Sequence, residues 1–340
     1  MPPLDWPVGA ATGVGSLPGA DVTEAVRLVL GELPDLPHLP ELPQRGAGAD
    51  LLGRGAALLT DLHVDLQPSG WRFVSHPGAD ERRGLDWLAR DLDALEEQAV
   101  GVTGLLKLQA PGPWTLAAGI ELTRGDRALA DRAAVRDIAA SLAHGLAEHV
   151  ADVRRRVPGI AVVVQLDEPT LPAVLLGRVR TASGFGAISS VPEPDAEAVL
   201  RDVLAGCGAP AGVHTCAAAP PLALLGRAGA QFVSVDLTLL DERHDDDLGT
   251  LLESGVQLLA GVVPSVEPPA RSPEDDTVRA AAAPLRALWR RLSFPAGRLA
   301  EQVTVTPTCG LAGASPAWAR AAMTRAREVA RSLAEAPEEG

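Results

Sequence analysis

Four side chains at the ends of apolar runs are of the kinds that hold a metal ion. His214 and Cys216, in GVHTC, close one run; Asp236, in FVSVD, closes the next; Cys309, in VTPTC, follows the last. Residues two apart in an extended chain point to the same side, so His214 and Cys216 can grip one ion together. An imidazole nitrogen, two thiolates and a carboxylate make a borderline-soft donor set suited to Zn2+. HxC is a weak motif without the repetition of CxxC pairs, and a lone cysteine is most often a small buried hydrophobe. Cys207, in a loop after a helical stretch, is read that way. The two remaining cysteines both fall at run ends, and that coincidence makes a zinc site an equal alternative to buried structural residues.

A second group ends the run VVVQLDEPT. Asp167 and Glu168 are adjacent, so at a strand end they face opposite ways and cannot share a proton. One of them should point inward and hold a cation such as a substrate amine; the alternative is a carboxylate at a helix N-terminus, favoured by the macrodipole. Gly15 and Ser16, in TGVGSLPG, form a turn leading into a helix, where free amides can bind a carboxylate.

These residues need a frame that gathers run ends. Eight short apolar runs are legible: Ala11 to Gly15, Gly46 to Leu52, Val102 to Leu108, Ile160 to Leu166, Ala211 to Thr215, Gln231 to Val235, Val256 to Val262 and Gln302 to Thr306. Between them lie helical patterns at 22–30, 84–97, 127–156, 195–205, 218–227, 247–253, 276–291 and 316–333. Long helical crossovers between near-continuous apolar strands demand a parallel sheet covered by helices. Eight such units predict an α/β fold of the single (β/α)8 TIM-barrel type over residues 1–333, with a disordered tail at 334–340. In a barrel the C-terminal strand ends converge on one mouth, where active sites lie. The segment LPDLPHLPELPQ, with proline at every third position from Pro34 to Pro43, favours extended polyproline II and is read as a rigid loop over that mouth.

Composition narrows the function. Acidic residues outnumber basic ones, 44 to 30, and a formal charge of -14 repels phosphate backbones, which argues against a nucleic-acid partner. Apolar stretches such as Ile160 to Val164 fall far short of the ~18 residues that span a bilayer. Met1 to Ala11 carries Asp5 and three prolines in place of a targeting pattern. Three cysteines outside any disulfide framework suit a reducing compartment, so a cytoplasmic protein without a membrane partner is expected. Only Lys107 among the basic residues is lysine, and tyrosine is absent; both are read as base composition.

The set GSLP, QLDEP, HTC, VSVD and TCGLAG, in that order from about Ala11 to Ala330, resembles the catalytic half of cobalamin-independent methionine synthase. The resemblance implies a (β/α)8 barrel related to uroporphyrinogen decarboxylase. It implies zinc held by His214, Cys216, Asp236 and Cys309, with aspartate in place of the family's glutamate. It implies an amino-acid substrate held by Gly15, Ser16 and Asp167, with Glu41 as a further carboxylate and Trp114, in APGPWTL, lining the pocket. The implied activity is methyl transfer to a thiol, homocysteine or another small thiol, from methylfolate or a methylated corrinoid protein. Here zinc acts by keeping a thiol deprotonated.

Two features depart from the family. Its Asp-Ile-His-Ser loop reads Pro264, Ser265, Val266 and Glu267, so a loop histidine is missing; His76 and His244 are the replacements considered. The N-terminal barrel of the folate enzymes has no counterpart in these 340 residues. A methyltransferase for another thiol, or an inactive metal-binding paralogue, is therefore the alternative. A decarboxylase has no use for a thiolate cluster.

Overall fold

A computed structural model of the chain describes residues 5–269 and 277–336. After an antiparallel hairpin, His63–Gln67 (β1) with Gly70–Val74 (β2), come six strands of one parallel sheet. They are Gly104–Pro111 (β3), Ile160–Asp167 (β4), Ala211–Thr215 (β5), Phe232–Asp236 (β6), Gln257–Val263 (β7) and Val303–Pro307 (β8). They pair in chain order, β3 to β8. The β-branched content of these runs suits strands buried on both faces, and every residue of β4 but Ala161 is buried.

Two irregular extended segments join β8 back to β3. The first crosses from β8, where Thr12 N–H donates to Val305 O and Val305 N–H to Ala10 O, to the second, where Leu17 N–H donates to Glu41 O and Glu41 N–H to Gly15 O. The second then pairs with β3: Leu39 N–H donates to Lys107 O, and Lys107 N–H to Pro37 O. The proline-rich segment is thus barrel wall, not a loop over the mouth. Its prolines lack N–H groups, but Leu39 and Glu41 between them carry the donors the wall needs, so a polyproline-like chain serves as a strand.

The run at 46–52 is correspondingly not a strand. It is a turn followed by helix Leu51–Ala56, started by Asp50, whose side chain accepts from Gly53 N–H. The hairpin β1–β2 was not anticipated, because its alternation is only half-buried. Helices Val22–Glu32, Ala79–Gln98, Arg132–Arg156, Glu193–Gly206 and Pro316–Glu335 fall where the periodicity places them, give or take a few residues. The last of these carries Ala334 and Glu335, which the sequence reading placed in a tail; residues 337–340 lie outside the described residues. The helix expected at 276–291 is described from Val278.

The barrel interior has two levels. At the bottom, Ala10, Leu36, Leu105, Val163, Phe232 and Leu259 form an apolar plug, with Trp6 edge-on to Phe232 at 5.5 Å. Above it the alternate inward positions turn polar: Thr12, His38, Lys107, Gln109, Gln165, His214, Ser234, Thr304 and Thr306 are all buried. The large apolar core lies outside, between the sheet and its helices.

Candidate metal centre and active site

The polar level opens into a cavity of about 230 Å³ at the C-terminal strand ends. On one side stand His214 from β5, Cys216 just beyond it and Cys309 beyond β8. One donor atom from each lies within 4.8 Å of the others, and the two Sγ atoms are 2.9 Å apart. His214 Nδ1 and Ser234 Oγ are hydrogen-bonded at 2.9 Å, which orients the ring. Its Nε2 is buried and has no protein partner. An orphaned imidazole nitrogen beside two thiols is what a soft divalent metal fits, since buried polar atoms otherwise find partners.

The thiols are electrostatically unequal. The hydrogen bond between the two sulfurs, reinforced by His214, pulls Cys309 down to about 4, while the same bond and burial push Cys216 up.

Asp236 does not join this group. Its carboxylate accepts from Thr238 N–H at 2.9 Å and Thr238 Oγ1 at 2.6 Å, starting the short turn Leu237–Leu239. An aspartate two residues before a free backbone amide satisfies itself locally, and its side chain is one methylene shorter than glutamate. Of the four expected donors, three therefore gather here and the fourth stands apart.

Across the cavity stand the carboxylates and the Gly15–Ser16 turn. Asp167 ends β4 and Glu41 pairs with Ser16, so residues far apart in sequence line one space. The turn lies tight against Gly310, where an added Cβ would come within 2.1 Å of Ser16 Oγ. Burial raises Glu41 to about 7 against the pull of Arg54, whose Nε lies 3.2 Å from Glu41 Oε1. Arg54 in turn pairs with Asp91, which takes a bidentate bond from Arg45 at 2.6 and 3.0 Å. Burial likewise raises Asp167, opposed by His214, Lys107 and a hydrogen bond from Gln165.

Asp167 and Glu168 face opposite ways, as adjacency requires. Glu168 turns into the wall and accepts from Trp114 N–H, Thr115 N–H and Thr115 Oγ1 at 2.8 to 2.9 Å, capping helix Pro113–Gly119. Burial outweighs those bonds and raises it to about 8. Trp114 does not line the mouth. With its N–H committed to Glu168, its indole donates to Ala196 O at 3.2 Å and borders a separate cavity of about 520 Å³ beside Leu129 and Val199.

Neither replacement histidine reaches the mouth. His76 is exposed, and His244 bonds Asp241 in a surface turn. Sequence reasoning missed Lys107, Gln109, Gln165, Ser234 and Arg54 beneath and behind the cavity. Their signal was a polar residue at alternate positions of an apolar run, or a buried arginine in a glycine-rich helix.

With this geometry, the sequence profile of the family described as "Cobalamin-independent synthase, Catalytic domain" matches residues 9–332. The chain belongs to that family. No curated protein matches it. Among solved structures, a B12-independent methionine synthase from Shewanella sp. W3-18-1 in complex with selenomethionine superposes with a TM-score of 0.61 at 13% identity, covering 97% of this chain and 98% of that one. The likeness shows the barrel fold. The carboxyl transferase domain of Rhizobium etli pyruvate carboxylase, with a TM-score of 0.25 at 13% identity over 66% of this chain and 41% of that one, carries no argument. Membership of the cobalamin-independent synthases makes the chain a methyltransferase of a metal-dependent family, and its His214, Cys216 and Cys309 are a group able to hold the metal. No helix among the described residues is long and apolar enough to cross a membrane.

Proposed function

We propose that this synthase-family chain is a zinc-dependent thiol methyltransferase of the cytoplasm that forms methionine from homocysteine. The observation that carries the reading is the unpartnered His214 Nε2 beside two thiols, in the same cavity as Glu41, Asp167 and Ser16. His214, Cys216 and Cys309 would hold the ion, and a zinc held there would supply a Lewis acid for the acceptor sulfur. Bound zinc supplies the acidity that keeps an acceptor thiol deprotonated at neutral pH, and the thiolate is the form that attacks a methyl group. Asp167 and Glu41 accept hydrogen bonds from the substrate ammonium, and the Gly15–Ser16 turn donates to its carboxylate, fixing the sulfur at the metal side. The acceptor's S–H proton is released to solvent, a sulfur–methyl bond forms, and the bond from the methyl group to its donor breaks with the electron pair left on the donor, where a folate nitrogen takes up a proton and a corrinoid cobalt is left reduced. The donor is methyltetrahydrofolate or a methylated corrinoid protein.

The test is to load the protein with zinc, supply homocysteine with methyltetrahydrofolate or with a methylated corrinoid, and measure methionine. Rescue of a methionine auxotroph leaves the donor to the cell. Silence in both, with zinc bound, replaces this reading with an inactive metal-binding paralogue, the alternative favoured by the absence of any histidine but His214 along the described mouth. Methylation of a different thiol alone transfers the reading to that acceptor.

A further inference from the structure

Under the floor of the mouth lies the only lysine of the chain, Lys107, with no exposed surface. Its Nζ donates to Val14 O at 2.8 Å and to Gln109 Oε1 at 3.3 Å. Both bonds lead to the groups assigned to the amino-acid head. The Val14 carbonyl, one residue before the Gly15–Ser16 turn, also accepts from Gln165 Nε2 at 2.9 Å, and that amide lies 2.7 Å from Asp167 Oδ1. Gln109 packs so closely on the turn that a Cβ at Gly15 would come within 2.8 Å of its Cγ, and its amide donates to Leu39 O in the segment that carries Glu41.

The charge balance gives this network a purpose. A buried ammonium persists only against compensating negative charge. The carboxylates that act on Lys107 are Asp167 and Glu41, whereas Arg54 is divided between Glu41 and Asp91, and Arg45 is committed to Asp91. In this linked set Asp167, Glu41 and Asp91 stand against Lys107, Arg45 and Arg54, while Glu168, also buried, lies apart in the wall on the backbone amides of Trp114 and Thr115. A zwitterion with one ammonium and one carboxylate enters such a mouth without changing its net charge. An acceptor that lacks the amine brings an uncompensated negative charge beside Asp167 and Glu41.

We propose that Lys107 is the positioning residue that sets the head-group specificity of this site for an α-amino acid: held by the Val14 carbonyl and Gln109, its ammonium sustains the charge of the Asp167–Glu41 pair that receives the substrate amine. The inference rests on the methionine-forming reading above. It assigns to a residue outside the cavity a function that packing alone does not require, because a methionine of similar length would fill the same volume.

The test compares L-methionine with its des-amino counterpart, 4-(methylthio)butanoate, as ligands of the zinc-loaded protein by calorimetry. In Lys107→Met the affinity for L-methionine falls about ten- to a hundredfold, the scale of one charged hydrogen-bonding partner, while that for the des-amino acid changes less than about twofold. An equal loss for both ligands, or no loss, overturns the inference. Because the chain has one lysine, wild-type protein labelled with 13C at lysine Cε gives a single side-chain lysine resonance, which reports without any substitution. That resonance shifts on saturation with L-methionine and shifts less with 4-(methylthio)butanoate; a resonance unmoved by bound L-methionine overturns the inference even where the variant does not fold. If the unmodified protein binds neither ligand, the functional reading itself falls and takes the inference with it.

Discussion

The two sides of the mouth are built on opposite plans. On the sulfur side, Cys216 and Cys309 are only half-buried, bond each other, and leave His214 Nε2 with nothing in the protein to bond. On the carboxylate side, Asp167 and Glu41 are almost wholly buried and sit within reach of Arg54, Lys107 and Gln165. One wall is open to completion by an ion, as in the proposed function; the other is completed by cations and amides of the chain itself. The contrast teaches that a metal site can be left underdetermined by the fold, because the ion supplies the missing order. A charge-recognition site must be preorganised, since nothing else will hold two carboxylates apart from their protons.

The largest break in this comparison comes from the sulfur side. Cys216→Ser or Cys309→Ser takes zinc content, read by elemental analysis, from near one per chain to background, and methionine formation goes with it; retained zinc in either variant removes the site. Next comes Asp167→Asn, which keeps its zinc while kcat/KM for the amino-acid thiol drops by roughly a hundredfold, the scale of a charged hydrogen bond. If zinc is lost along with activity, the two walls are not separable. A smaller effect is expected of Ser234→Ala, which frees the His214 ring. Zinc affinity in a competition titration weakens about ten- to a hundredfold, as for other outer-sphere partners of metal-bound histidine.

The pH dependence sharpens the carboxylate side. Glu41 titrates in the folded chain at about 7 against a usual 4.5, so the folded state binds more protons than the unfolded one between those values. Stability is then lost as pH rises from about 4.5 through about 7, while ammonium binding, which needs the charged form, grows over the upper part of that range. Glu41→Gln removes both slopes, seen as a flatter melting-temperature profile and a kcat/KM that no longer rises near pH 7. The smallest change belongs to Asp236→Ala. It loses a turn cap worth about 0.5 to 2 kcal/mol and leaves zinc content untouched; a loss of zinc there restores Asp236 to the ligand set.

Much of this molecule is legible in its sequence. The six strands from β3 to β8 announce themselves as largely apolar runs between alanine-rich helices, because the face under the helices and the lower inward positions must be apolar. The run Ala11 to Gly15 does lie in the wall, and only the second expected strand is misplaced, for a definite reason. The chain builds its second wall segment from LPDLPHLPELPQ, in which every third residue lacks a backbone N–H, and puts a capped helix where the weak run at 46–52 suggested a strand. Local pattern cannot reveal that Leu39 and Glu41 supply enough donors until their partners Lys107 and Gly15 are beside them.

The same division holds at the site. By itself the sequence determined the donor types and the facing of neighbours: His214 and Cys216 on one side, Asp167 in and Glu168 out, Cys309 at a mouth. Those follow from the period of two along a strand, a property of a few consecutive residues. Only the tertiary structure decided that Asp236 turns to Thr238, that Trp114 packs away from the cavity against Ala196, and that Glu41 faces Asp167 over a buried lysine. Each of those outcomes is a competition between a local partner and one brought from a hundred or so residues away. Which partner wins depends on distances that exist only once the barrel has closed.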